Sequence, residues 1–289
     1  MKHSILLTCA AVCSAALMAG EKMPAVYTVP HELDILLKAG HIQGADCSEQ
    51  GVYLAHQLGI EKIGWDGKLL KHVDAPAHLG DIACANGRIY GAFVLRQRAK
   101  GEQPGYVRVW NENLEQVAER HFPVNLDGCC VLNGLLYVGE DPYGKDPHPG
   151  CRIRRLNLDL TEKDVTDVDI GYSIHYGVQT MATDGKELFL GNYGAGKDKG
   201  NPNARSTTRL TPDLKLIASD GFRCSEGIGR VPKTIARRDV PVFFVVRALG
   251  GNMKKWRADP VNNPPRIRLD FYEYADGKFT DITVRREAK

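Results

Sequence analysis

The sequence lacks the patterns that mark helical proteins, zinc knuckles and nucleic-acid-binding domains. No segment of convincing length repeats its apolar residues with the period of a helix, so nothing favours an α-helical fold. It contains no Cys-x-x-Cys pair, which argues against a zinc knuckle or a thioredoxin-like site. The net charge of the 289 residues is only +3, so we expect no nucleic-acid partner. What the chain does contain is a repeat.

A short pattern of apolar strands and turns occurs five times. Each repeat contains a strand centred on an aromatic residue and then an alternating strand that ends in Asp, Asn or Gly, the chemistry of a tight hairpin turn. Further short runs complete the pattern, so each repeat holds four strands. The aromatic markers of the successive repeats lie 37 to 55 residues apart, and they are Tyr53, Tyr90, Tyr137, Phe189 and Phe244.

Four-stranded repeats of this length predict the blades of a β-propeller, in which radial closure protects the edges of the sheets. Five repeats therefore predict an all-β fold of five four-stranded antiparallel blades. A β-sandwich is the alternative, but accidental similarity would not place the same elements in the same order five times. Ala25 to Pro30 precede the first repeat. We expect this segment to add a strand to the last blade and to close the ring.

The N-terminus has the form of a secretory signal. Lys2 precedes an apolar run from Ile5 to Met18, and small residues follow, which is typical of a cleaved signal peptide. The run is too short for an ordinary membrane-spanning helix. We expect residues 1–20 to be removed and residues 21–289 to form one exported propeller domain, periplasmic or extracellular. Lipid anchoring through a cysteine of the apolar run is the alternative, although neither cysteine there lies in a good lipobox.

Six cysteines remain outside the signal, and export permits disulfides among them. Six thiols allow many complete pairings, which the sequence does not rank. Cys47 and Cys84 occupy equivalent positions in the first two repeats, each six residues after a histidine. We interpret both as small buried residues of the inner strands.

The segments that open the repeats are more polar than simple packing requires. In an up-and-down blade, the start of the first strand and the connection from the second to the third strand lie on one face of the disc. All five openings therefore converge on one mouth of the central channel. The acid–base or metal-binding candidates in these openings are His78, Asp81, Asp127, His175 and Glu226. The ligand-binding candidates are His41, Gln43 and Gln179.

These openings leave two interpretations. Imidazoles and carboxylates around one mouth suit acid–base catalysis, or a divalent metal such as calcium, and the sequence does not say which. Polar residues at the end of a channel also cap backbone groups or hold water without doing chemistry. The five openings differ in sequence, which favours one asymmetric central site over equivalent sites in every blade.

The connections between the second and third strands, here called the b–c loops, open on the same mouth and are long in every blade but the first. They carry ten basic and six acidic residues, so we expect a cationic mouth that attracts anionic ligands. Solvated loops that need charge for solubility are the alternative. The substrate-binding candidates in these loops are Arg96, Lys197, Lys255 and Trp256.

Two elements give the chain a family resemblance, the opening His78-Leu79-Gly80-Asp81 and the strand Asn86 to Tyr90 that follows it. With both, it resembles a broad group of exported bacterial five-bladed β-propeller proteins. The resemblance is strongest over residues 41–191, and it implies the fold. Five-bladed propellers include glycoside hydrolases, calcium-dependent nucleotidases and lectins. No catalytic motif of these classes matches the chain, so the resemblance assigns no catalytic residue.

Together the patterns predict an exported enzyme that acts on a glycan or another anionic substrate by hydrolysis or elimination. The main alternative is a noncatalytic propeller module that binds a carbohydrate or a protein, and a structural scaffold is the third hypothesis. We expect a saccharide or other small anionic ligand, a monomer, and no transmembrane segment.

Overall fold

The fold is all-β. The computed structural model describes residues 32–34, 42–56, 59–75, 78–95, 100–141, 148–174, 177–193, 206–248, 259 and 266–283. In this part of the chain the α-helix is a single turn, α1 (Lys233–Ala236), and no helix is long and apolar enough to cross a membrane. The expected signal, residues 1–20, lies outside the described residues.

The strands follow the chain in five sheets. After β1 (Glu32–Asp34), blade 1 consists of β2 (Ile42–Ser48), β3 (Gly51–His56), β4 (Gly59–Ile63) and β5 (Leu69–Asp74). Blade 2 consists of β6 (His78–Ala85), β7 (Arg88–Val94), β8 (Gly105–Asn111) and β9 (Gln116–Phe122). Blade 3 consists of β10 (Asn125–Leu132), β11 (Leu135–Asp141), β12 (His148–Asn157) and β13 (Glu162–Ile174). Blade 4 consists of β14 (Val178–Thr183), β15 (Leu188–Asn192), β16 (Thr207–Leu210) and β17 (Leu216–Asp220). Blade 5 consists of β18 (Ile228–Val231), β19 (Val242–Ala248), β20 (Arg266–Ala275) and β21 (Lys278–Asp281).

The blades surround one axis. Within each blade the strands pair antiparallel with their neighbours in sequence. The first strands, β2, β6, β10, β14 and β18, contact one another in a ring and so form the wall of the central channel. The predicted propeller of five four-stranded antiparallel blades is confirmed.

The first and the last described strands both pair with β20 of blade 5. β1 pairs with β20 from Glu32 opposite Arg268 to Asp34 opposite Arg266. β21 pairs with the other part of the same edge, from Tyr272 to Ala275. The N-terminal strand thus covers an edge that would otherwise be open to other chains, as predicted. The segment Ala25 to Pro30, which we expected to supply it, lies outside the described residues, and the observed pairing is made by residues 32–34.

Tight turns join the inner hairpins. Asn86 and Gly87 both have positive φ, 51° and 69°, and Asn133 and Gly134 repeat this geometry one blade later. Two consecutive positive φ values define the type I′ turn, whose twist matches that of the flanking strands. The Asn-Gly pairs that marked the repeats in the sequence are therefore required by the hairpins themselves.

The core fills the spaces between consecutive blades. Between blades 1 and 2, for example, Tyr53 and Ile60 pack with Phe93 and Trp110. The aromatic marker of each second strand faces the next blade, and the last of them, Phe244, packs against blade 1. Removal of these faces from water is the main force that holds the blades together.

Four of the inner strands carry a bulge at the same level. In β2, β6, β10 and β14 the pairing with the second strand shifts by one extra residue, near the start of the strand. A bulge of this kind re-aims side chains and bends the strand. The inner strands meet so closely here that a Cβ built on Gly44 would lie 2.6 Å from the Cα of Asp81 in the next blade.

We therefore expect Gly44→Ala to destabilise the protein by about 1–3 kcal/mol or more, because the added methyl group meets the backbone of the neighbouring blade. Urea denaturation measures the change in the free energy of unfolding. Gly221→Ala is the matched control, since a Cβ there meets nothing within 4 Å, and it should change stability by less than about 0.5 kcal/mol. Equal stability of the two variants would contradict the close approach of the inner strands.

Candidate functional site at the channel mouth

The mouth is defined by the starts of the inner strands and the bases of the b–c loops. His78 is the first residue of β6 and pairs with Val94, the last residue of β7 before its b–c loop. Glu226 lies just before β18, and its Oε2 accepts a hydrogen bond of 2.7 Å from the backbone N of Ala248, the last residue of β19. Both predicted residues therefore lie at the base of a b–c loop, on the expected face of the disc.

Two glutamine side chains meet across the channel. Gln43 is the extra residue of the β2 bulge, and Gln179 has the same position in β14. Both are buried, and Gln179 Nε2 donates a hydrogen bond of 3.0 Å to Gln43 Oε1. Blades 1 and 4 are thus joined directly near the axis.

Asp81 connects three blades. Its side chain is completely buried on β6, and Oδ2 accepts hydrogen bonds from Cys129 N of blade 3 at 3.1 Å and Met181 N of blade 4 at 2.8 Å. Burial raises the pKa of Asp81 well above its ordinary value, although the two backbone N–H groups favour the charged form. Its contacts are those of a group that positions the inner strands.

Asp127 repeats the arrangement one blade later. It lies in the β10 bulge beside Gly128 and is 9% exposed. A Cβ on Gly80 of the preceding blade would come within 2.0 Å of Asp127 Oδ1, just as one on Gly44 would meet Asp81. Each glycine thus makes room for the carboxylate of the next blade. The sequence shows a glycine beside a polar residue in each opening, but it does not show that the two residues of a contact come from different blades.

The described part of the mouth thus contains six of the predicted residues. Gln43, Asp81, Asp127 and Gln179 lie at the bulges, and His78 and Glu226 lie at the loop bases. The remaining predicted residues lie outside the described residues, and they are His41, His175, Arg96, Lys197, Lys255 and Trp256.

Asp46, which the sequence did not single out, lies deeper along β2. Its Oδ2 accepts a hydrogen bond of 2.7 Å from Cys84 N of blade 2. Removal from water raises the pKa of Asp46 to about 7, against the lowering effect of its backbone hydrogen bonds. Asp46 and Asp81 therefore join successive inner strands in the same manner.

The six cysteines are all among the described residues, and all are free thiols. Cys47 is buried on β2 and donates a hydrogen bond to Arg230 O, while Cys84 is partly buried on β6. Burial raises the pKa of both thiols well above the ordinary value, which leaves them protonated and unreactive at neutral pH. Both lie on inner strands as predicted, and the predicted burial holds for Cys47, while Cys84 is only partly buried.

A cleft of about 370 Å³ opens on the opposite face of the disc. It lies between the turns of blades 1 and 2, and its lining includes Gln50 and Glu112. Lys62, which is not part of the lining, donates hydrogen bonds to Gln50 Oε1 at 2.7 Å and to Glu112 O at 2.9 Å. The ammonium group is thus held by its own neighbours rather than directed to a ligand.

Blade 1 also holds a cluster that sequence reasoning missed. His72 Nδ1 lies 3.6 Å from Glu61 Oε1, and the rings of His56 and His72 are stacked with centroids 5.6 Å apart. Glu61 is 2% exposed, and burial raises its pKa to about 7. The sequence alone does not reveal this cluster. Glu61 and His72 come together only when β4 pairs with β5, which places them opposite each other.

Comparison with solved structures gives fold-level relatives. The chain is similar to Myxococcus xanthus glutaminyl cyclase, with 11% identity over 85% of this chain and 97% of that chain and a TM-score of 0.52. It is also similar to a Bacteroides caccae protein of unknown function, with 8% identity over 84% of this chain and 70% of that chain and a TM-score of 0.43. For the Neurospora crassa Pan2 WD40 domain the identity is 9% over 80% of this chain, the TM-score is 0.44, and the chain spans 61% of that structure's length.

No protein-family model matches the chain, and no curated protein matches it. At 11% identity, the likeness to the bacterial glutaminyl cyclase shows the fold alone. The fold-level resemblance to bacterial propeller proteins is confirmed.

The raised pKa of Asp46 predicts a pH dependence of stability. Because the folded state favours the protonated carboxyl, the contribution of Asp46 is fully present below about pH 4 and is lost as the pH rises through about 7. Asp46→Asn removes this titration. We therefore compare the free energy of unfolding of the variant with that of wild type. From about pH 4 to about pH 7 the difference, variant minus wild type, should rise by at least about 1 kcal/mol, since one pKa unit corresponds to about 1.4 kcal/mol.

Urea denaturation at several pH values tests this expectation. Asp66→Asn is the control, because the pKa of the exposed Asp66 is lowered by hydrogen bonds from Lys68 and its titration falls below the window. A difference between Asp46→Asn and wild type that stays constant from about pH 4 to about pH 8 would contradict the raised pKa.

Proposed function

We propose that this protein is an exported enzyme that acts on an acidic glycan, or on another small anionic molecule, at the channel mouth that carries the b–c loops. The observation that supports this most is the bulge shared by four inner strands. Each bulge brings a polar side chain to the axis at the same level. A ligand site needs a few placed polar groups, and these side chains supply them.

Residues at the rim supply the proton transfers. In hydrolysis, a base removes a proton from the water that bonds to the anomeric carbon, and an acid donates a proton to the leaving oxygen. In elimination, the base removes the proton beside a uronate carboxylate, the oxygen on the next carbon leaves with its bonding pair, and a double bond forms. We assign the base to His78 or His175, and the acid to Asp127 or Glu226.

Asp81 takes a positioning role in this proposal. Its Oδ2 is already shared by two backbone N–H groups, so it acts on a ligand through the blades that it joins. The oxygen atoms of Asp127, Gln43 and Gln179 also suit a divalent metal such as calcium, which prefers carboxylate and amide oxygens.

The ligand class follows from charge. The b–c loops carry ten basic and six acidic residues in the sequence, and Arg96, Lys197 and Lys255 are the cations that we propose to hold a uronate, sulfate or phosphate group. Trp256 supplies a ring that stacks on a sugar. Export is part of the proposal and follows from the signal expected in residues 1–20.

The test is turnover of acidic oligosaccharides, followed by new reducing ends for hydrolysis and by ultraviolet absorbance of the unsaturated product for elimination. We expect His78→Ala to lower turnover by about 10²- to 10⁴-fold, the usual effect of losing a general acid or base, without loss of thermal stability. Glu226→Gln keeps an oxygen that accepts the hydrogen bond from Ala248 N, so any fall in turnover reports the loss of the acidic proton and not of this contact.

His121→Ala is the matched control. His121 is an exposed histidine of β9, the outer strand of blade 2, where it lies 2.8 Å from Glu119 and stacks on Tyr106. It should leave turnover unchanged. Ligand binding should weaken as salt rises, because exposed charges are screened within about 10 Å at 0.1 M. Graded losses of affinity without any turnover would favour the noncatalytic module, and equal affinity for neutral and acidic ligands at every salt concentration would contradict the anionic ligand.

A further inference from the structure

The cluster in blade 1 lies away from the channel, on the face of the blade that packs towards blade 5. His56 ends β3 and follows Val52 and Leu54 on that face, which pack with Phe244 of blade 5. Register places Glu61 of β4 opposite His72 of β5. One ligand atom from each of His56, Glu61 and His72 lies within 4.8 Å of the other two.

We propose that His56, Glu61 and His72 bind a transition-metal ion of the Zn²⁺ type. Two imidazole nitrogens and one carboxylate oxygen form a ligand set that zinc uses in proteins, with a further position left for water or another donor. Bonds of about 2.0–2.2 Å in tetrahedral geometry place ligand atoms about 3.4 Å apart, so the three side chains need to close by roughly 1 Å.

Asp74 supports the assignment independently. His72 Nε2 lies 2.9 Å from Asp74 Oδ1, while the other ring nitrogen, Nδ1, is directed at Glu61. Metal-binding histidines usually donate their second N–H to a carboxylate, which fixes the tautomer and the orientation of the ring. His72 is thus held with Nδ1 facing the proposed ion position between the side chains of His56, Glu61 and His72.

Three other blades also carry an acid on the corresponding face, the one that packs towards the preceding blade, and there the acid has a different partner. In blades 2, 3 and 5, an arginine lies beside the carboxylate and supplies the positive charge. The pairs are Arg108–Glu119 at 2.6 Å, Arg154–Glu140 at 2.6 Å and Arg247–Asp270 at 3.5 Å. In blade 1 the buried Glu61 faces two imidazoles instead. A bound cation takes the place that arginine has in the other blades.

Gly59 leaves the space that the cluster needs. A Cβ at this position would lie 2.8 Å from His56 Cε1 and 2.8 Å from Val73 O. At the corresponding register position of blade 2, Tyr106 stacks on Phe93 at 4.3 Å. The side chain of His72 is 23% exposed, so an ion reaches the site from this side without opening the core.

Zinc binding to the full chain tests the proposal. After treatment with a chelator, titration calorimetry with Zn²⁺ should give one ion per chain, and Co²⁺ in its place should give the visible absorption of a low-symmetry site. Glu61→Gln, which keeps the shape of the side chain, and His72→Ala should each weaken Zn²⁺ binding by at least about 100-fold. Asp74→Asn, which acts through His72, should weaken it by about 10- to 100-fold.

His121→Ala is again the control, since it removes an imidazole with a carboxylate neighbour from blade 2 and should leave Zn²⁺ affinity unchanged. If His72→Ala fails to fold, Glu61→Gln and Asp74→Asn decide the matter. No Zn²⁺ binding by wild type, equal binding by all variants, or an equal loss in His121→Ala would each overturn the proposal. The last two outcomes would mean that zinc binds elsewhere in the chain.

Discussion

The whole structure depends on how closely five inner strands approach one axis. Gly44 against Asp81 and Gly80 against Asp127 leave no room for a Cβ, so blades that are separate sheets touch through backbone. At this separation side chains reach across the axis. Met181 N of blade 4 reaches Asp81 of blade 2, and Gln179 reaches Gln43. Polar groups of blades that are not neighbours therefore bond directly near the axis.

Buried acids are the second constraint, and the protein neutralises them in different ways. Asp46 and Asp81 accept backbone N–H groups from neighbouring blades, which partly offsets their burial. Acids outside the inner strands pair with arginine in blades 2, 3 and 5, and Glu61 lies beside two histidines. Because a buried charge without a partner is costly, each of these arrangements fixes the relative position of two or more strands. The polar groups of this fold thus determine how the blades fit together, while the apolar faces supply the driving force.

The blade number and the strand order could be predicted because they repeat along the chain, and the Asn-Gly turns are local. The placement of His78 and Glu226 at loop bases followed from topology. What could not be predicted depends on contacts between blades, because Asp81 meets Met181 over a sequence distance of 100 residues. Glu61 and the two histidines were missed for a related reason. They share a face only once the register of three strands is known, and their spacing in sequence resembles no metal motif.

The outer strand of blade 5 has a consequence for the chain as a whole. β21 and β1 both run antiparallel to β20, and they occupy successive parts of its edge, with Asp281 opposite Tyr272 and Glu32 opposite Arg268. Among the described residues, the hydrogen bonds of blade 5 thus bring the first and the last strand onto one edge. We therefore expect a permuted chain that joins residues 281 and 32 by a short linker, and opens instead at the exposed turn Asn133-Gly134, to keep the five blades.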